Sequence, residues 1–82
     1  ARICPDFVVE LRSKFDRLKT LRNKMEEYMT NGAQLGWLID PIEKKVHIYR
    51  QEAPVEILDK PTQISGDPLL KGFVLKLEGI LD

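Results

Sequence analysis

Eighty-two residues, 43% hydrophobic and 32% charged, make one small domain, near the size at which a single core only just suffices. Thirteen basic residues balance thirteen acidic ones, so the chain lacks the basic excess of a dedicated nucleic-acid-binding domain. No apolar run is long enough to span a bilayer, and the single cysteine, Cys4, excludes an internal disulfide or a cysteine-built zinc site and fits a reducing cytoplasm.

The first element begins within a few residues of Ala1. Pro5-Asp6-Phe7-Val8-Val9-Glu10 is a proline-led apolar run. Strand alternation puts Val8, Glu10 and Arg12 on one face and Phe7, Val9 and Leu11 on the other. A carboxylate among β-formers needs a partner, a metal or water. The abrupt start, with no Met, suggests a fragment of a longer protein. Residues 1–24 hold seven basic and three acidic side chains, a net +4, against six and ten, a net −4, in 25–82. Arg12 and Arg17 belong to that positive end and are candidate phosphate contacts, although at the helical repeat the cations do not all share a face.

Ser13 followed by Asp16 reads as a helix entrance. Leu18, Leu21, Met25, Tyr28 and Met29 then recur at helical spacing, and Asn31-Gly32 ends the pattern. The spacing predicts a helix over residues 16–30. Residues 36–40 form a short apolar run stopped by Pro41, as in a buried strand, and 46–50 alternate, so 41–45 reads as a hairpin loop. Residues 55–58 and 62–64 are weaker strand candidates around the turn Asp59-Lys60-Pro61. Ser65-Gly66-Asp67-Pro68 is a second turn, and 72–77 places Phe73, Leu75 and Leu77 on one face. Strand, helix, strand and then hairpin define an α/β crossover unit whose helix covers one sheet face.

The spaced combination of Pro5-Asp6-Phe7-Val8-Val9-Glu10, Ser13, Lys24-Met25, Tyr28, Gly32 and Trp37-Leu38-Ile39-Asp40-Pro41 resembles a bacterial restriction endonuclease-like family of the PD-(D/E)XK nuclease superfamily. Val46-His47-Ile48-Tyr49-Arg50, Ser65-Gly66 and Gly72-Phe73 fit its usual ending. The resemblance covers essentially the whole chain. It implies a truncated restriction endonuclease-like fold, with residues 1–82 forming the C-terminal part of a longer nuclease-like domain.

It also implies a metal-dependent phosphodiesterase acting on nucleic acid, DNA above all, with Mg²⁺ or Mn²⁺, in the full-length protein. Glu10, on a core strand, is the implied metal-coordinating carboxylate. The superfamily places a lysine two residues later; here that residue is Arg12, which stays protonated and cannot accept a proton from water. The lysine of the resembled family sits on the following helix, at Lys24. On spacing alone Lys24 reads as a snorkelling surface lysine; the resemblance gives it a catalytic role. Asp6 is a weaker metal candidate, because four residues of extended strand separate it from Glu10 by roughly 13 Å. The family's further aspartate comes from an earlier strand, so the fragment is expected to be inactive, its open strand edge to favour a homo-oligomer, and no membrane to be involved. A catalytically dead module for nucleic-acid or protein interaction is the alternative.

Other residues read more plainly. His47 suits a surface or cross-strand position, Trp37 a core anchor, Asp40-Pro41 a turn start, and Tyr28 and Tyr49 packed rings with wet hydroxyls.

Overall fold

The computed structural model describes residues 6–81; Cys4 and Pro5 lie outside the described residues. Ser13 and Asp16 do form a reciprocal hydrogen-bonded unit: Asp16 Oδ2 accepts from the Ser13 N–H and hydroxyl, each at 2.9 Å, and the Asp16 N–H donates to the Ser13 carbonyl at 3.1 Å. That unit stands ahead of the helix rather than capping it. Arg17 is extended and has no side-chain cap, and helix α1 spans Leu18–Thr30, two residues later than the spacing predicts. Gly32 ends it as expected: its φ of 107° is open to glycine without a Cβ penalty.

Strand β1 (Phe7–Leu11) precedes α1, and β2 (Leu35–Asp40), β3 (Lys45–Arg50) and β4 (Glu56–Asp59) follow it. They form one sheet in the order β1-β2-β3-β4. β1 runs parallel to β2, and the other pairings are antiparallel. The parallel pair needs a crossover, which α1 supplies. Among the described residues β1 pairs with β2 alone, so Glu10 stands on an edge strand of this sheet rather than inside it.

Burial on both faces explains the continuous apolar character of β2, whose six residues are all buried. On one face Val8, Leu38 and Tyr49 pack against Leu21 and Met25 of α1 and against Ala33. On the other, Leu35, Trp37, Ile39, Val46 and Ile48 pack against Ile64, Leu77 and Leu81. This second layer is the β5 (Gln63–Ser65) and β6 (Val74–Lys76) hairpin with its trailing turn. The expectation of one covered face is therefore corrected. Trp37 is the reason: its indole meets Phe7 edge-on at 4.8 Å between centroids and stacks on Phe73 at 6.0 Å. Removing so large a ring from water contributes about 4–6 kcal/mol of transfer free energy.

Two features fix the height of α1 over the sheet. Gly36 faces the helix, and a Cβ there would meet Met25 Cε at 2.6 Å and Val8 Cγ2 at 3.2 Å, so a larger residue would have to displace the Met25 tip. At the helix end, the Gln51 amide donates to the carbonyls of Met29, in the last turn, and Ala33, just past it, at 2.8 and 2.6 Å, which ties the end of α1 to the residue following β3. No helix among the described residues is long and apolar enough to cross a membrane.

Candidate active site

The alternation of β1 turns Glu10 toward α1, and the docking of Met25 on Gly36 sets the neighbouring Lys24 above that strand. Lys24 Nζ lies 2.8 Å from Glu10 Oε1. The Tyr28 hydroxyl, one helical turn on, donates to the same oxygen at 3.3 Å, and Lys24 Nζ lies 6.0 Å from the Tyr28 ring centroid. Positions i and i+4 share a helix face, so one turn of α1 presents an ammonium and a phenol to one carboxylate. The carboxylate end is largely covered, with 20% of the Glu10 side chain exposed, while Lys24 is half exposed at 51%. The hydrogen bond to Glu10, reinforced by that residue's negative charge, pushes the Lys24 ammonium up from 10.5. Lys24 is thus a cation at neutral pH, suited to holding a phosphate or stabilising charge and unsuited to removing a proton from water.

Arg12 is engaged inside the protein. One of its guanidinium nitrogens lies 2.9 Å from Asp40 Oδ2 and 3.4 Å from Glu43 Oε2, and its Nε–H donates to the Asp16 carbonyl at 3.2 Å. Asp40 is fully buried. Its other oxygen accepts from the N–H groups of Ile42 and Glu43 at 3.0 and 3.2 Å. The turn-starting aspartate expected before Pro41 is therefore also the counter-ion of Arg12, 28 positions earlier. This pair ties the end of β1 to the end of β2 and occupies a cation that the sequence offers to phosphate. Arg17 remains exposed at the entrance to α1.

Asp6 contributes through its backbone. Its carbonyl accepts the N–H groups of Gln34 and Leu35 at 2.8 and 3.0 Å, which starts the parallel pairing, and its residue is exposed. Among the described residues no three His, Cys, Asp or Glu side chains converge as a metal site. Glu10 fits as one carboxylate ligand of a hard divalent ion and does not by itself make a site, since such an ion takes several oxygens.

Of the surface or cross-strand positions that its alternating strand suggests, His47 takes the second. It is 4% exposed, lies between Leu38 and Ile57 on the α1 side of the sheet, and its Nδ1 has no hydrogen-bond partner among the described residues. Burial, with the nearby Arg22 cation, lowers its pKa from 6.5. Tyr49 is buried beside it, and burial pushes its hydroxyl up from 10.0. Sequence reasoning missed Tyr28 as a donor to Glu10 and Asp40 as a buried charge; the helical interval from Lys24 to Tyr28 carried a signal for the first.

A crossover helix is thus docked on a mixed sheet and sets a helix-borne lysine on a strand-borne carboxylate. The chain belongs to the Uma2 family, described as "putative restriction endonuclease", which residues 1–78 match. Among solved structures it is similar to a protein of Anabaena variabilis ATCC 29413 described as a "putative nuclease belonging to DUF820", at 26% identity and a TM-score of 0.82, over 98% of this chain and 45% of that one. The chain thus spans less than half the length of that relative. No curated protein matches it.

Proposed function

We propose that this chain is part of a nuclease that hydrolyses nucleic-acid phosphodiesters, DNA foremost, with Mg²⁺ or Mn²⁺ at a site that includes Glu10. The observation that carries this reading is the 2.8 Å pair between Glu10 and Lys24, supported by family membership and by the shared nuclease fold. Glu10 supplies one carboxylate to the cation. Lys24, protonated and half exposed, holds a phosphate oxygen and stabilises the charge that develops on it. Tyr28 orients the carboxylate from the helix. A divalent ion in such a site polarises the phosphate and lowers the pKa of bound water.

The remaining ligands come from outside the described residues, because Asp6 is too far along β1 and Asp40 is held by Arg12. The 82-residue chain is accordingly inactive or nearly so, and activity belongs to a longer protein. The test is cleavage of supercoiled plasmid with Mg²⁺ or Mn²⁺ by the full-length protein, beside its Glu10→Gln and Lys24→Met variants. Loss of cleavage in both, with folding intact, is expected. Cleavage retained by the Glu10→Gln variant would remove Glu10 from the site, and a folded full-length protein that cuts nothing would favour an inactive binding module.

A further inference from the structure

The side of the sheet opposite α1 carries a second concave site, at the β2–β3 turn. A cavity of about 520 Å³ opens beside the β5–β6 hairpin, lined by Lys44, Lys60, Lys76 and the half-buried Pro61, with the buried core residues Leu77 and Leu81 closing its base. Thr62, Gln63 and, among the described residues, a single acid, Glu78, complete the wall. Ion pairs among the described residues engage Arg12, Lys24 and Arg50 and none of these three lysines. Among the described residues the wall thus holds three cations and one acid, a concave and partly apolar setting that favours an anion carrying an apolar or planar body.

The lysines are presented by fixed backbone. Lys44 and Lys60 both adopt left-handed conformations, with φ of 58° and 49°, where a side chain carries a steric cost that glycine avoids. The Lys60 N–H donates to the Lys44 carbonyl at 2.8 Å, which joins the β2–β3 turn to the end of β4. The Leu77 N–H donates to the Thr62 carbonyl at 2.9 Å and brings the end of β6, with Lys76, to the same place. Backbone held in a costly conformation over a cavity is a recurrent property of ligand sites.

We infer that this three-lysine cavity binds the phosphate of a nucleotide unit, the ammonium groups taking the phosphate oxygens and Pro61 with the lysine stems lying against the sugar or base. The shared chemistry is a phosphate joined to a nucleoside, whether as a free nucleotide or as a unit of a strand. The site is separate from Glu10 and stands independently of the nuclease reading.

The experiment is an NMR titration of the ¹⁵N-labelled chain with thymidine, thymidine 5′-monophosphate, and an oligothymidylate lacking terminal phosphates. The expected result is saturable shifts of the Lys44, Lys60 and Leu77 amides with the monophosphate and none with thymidine. Matching shifts with the oligothymidylate identify the strand as a source, and their absence identifies the free nucleotide. For a strand with one phosphate held by the three lysines, log K falls against log salt with a slope of about −0.7. The Lys44→Gly/Lys60→Gly double variant relieves the left-handed backbone while removing two charges, so it folds at least as well and binds about tenfold more weakly or worse. Lys76→Gln tests the same charge on ordinary strand backbone, Glu78→Gln tightens binding, and Lys71→Gln, outside the cavity, changes nothing. Glu10→Gln also leaves binding unchanged, which separates this site from the active-site reading. Absence of shifts at the three amides with either phosphate ligand, or shifts that survive the double variant and Lys76→Gln, would overturn the inference.

Discussion

Lys24 joins a short ion pair while half its side chain remains in water, and the two facts predict different responses. A pair so exposed contributes roughly 1 kcal/mol or less to stability, so Lys24→Met should barely move the denaturant midpoint while cleavage by the full-length protein is lost. Because the folded ammonium titrates above 10.5, the pair's contribution is whole below the unfolded lysine's pKa and fades as pH rises through the folded value. The stability difference between the parent and the Lys24→Met chain should therefore stay flat from pH 6 to 9 and shrink only in strong alkali. His47 has the opposite sign. Its folded pKa lies below 6.5, so below that pH the unfolded chain takes up a proton that the folded chain refuses, and stability falls as pH drops through 6.5. Replacing His47 with Gln should remove that slope, which urea titrations at pH 7.5, 6.5 and 5.5 would reveal. Arg12 is a third case: Arg12→Ala strands the buried Asp40 carboxylate and should cost about 3–5 kcal/mol. An unfolding midpoint unmoved by that change would rule out the pair as a structural tie.

The contact between α1 and β2 turns on one missing side chain. Gly36→Ala drives a methyl to within 2.6 Å of the Met25 tip; Met25 is fully buried and has little room to yield, so about 1–3 kcal/mol of destabilisation is expected. β1 presents the other element-level question. Its outer edge is unpaired among the described residues, and Val9, Leu11 and Phe15 are 46%, 58% and 85% exposed. We propose self-association through this edge: light scattering of the isolated chain should show concentration-dependent growth that Leu11→Lys suppresses. A monomer at millimolar concentration would refute it. The contrast between these elements also explains what could be read in advance. Val8, Glu10 and the α1 stripe were legible because a period of two and a period of 3.6 are local properties. The Arg12–Asp40 pair was not, since it depends on the parallel register of two strands 28 residues apart. The hairpin layer was legible only in outline: β5 and β6 are three residues each, too short for alternation to announce a sheet. The late start of α1 was hidden because Ser13 and Asp16 satisfy each other locally and leave nothing for the helix.

For the molecule as a whole, the proposed division of the site makes a prediction about activity. Incubated alone with plasmid and Mn²⁺, the 82-residue chain should leave the supercoiled form intact, whereas Glu10-dependent nicking would show that copies of it complete one another's sites. The lysine partner of Glu10 reaches it only through α1, whose height is set by Met25 against Gly36 and by Gln51 at the helix end. A partly folded chain, or one whose helix has lifted from the sheet, has its acid and its cation on separate segments and no reactive pair at all. On the proposed nuclease reading, hydrolytic competence reports completed packing: a molecule of this design that has not finished folding, or has begun to unravel, would hold no pair with which to cut nucleic acid.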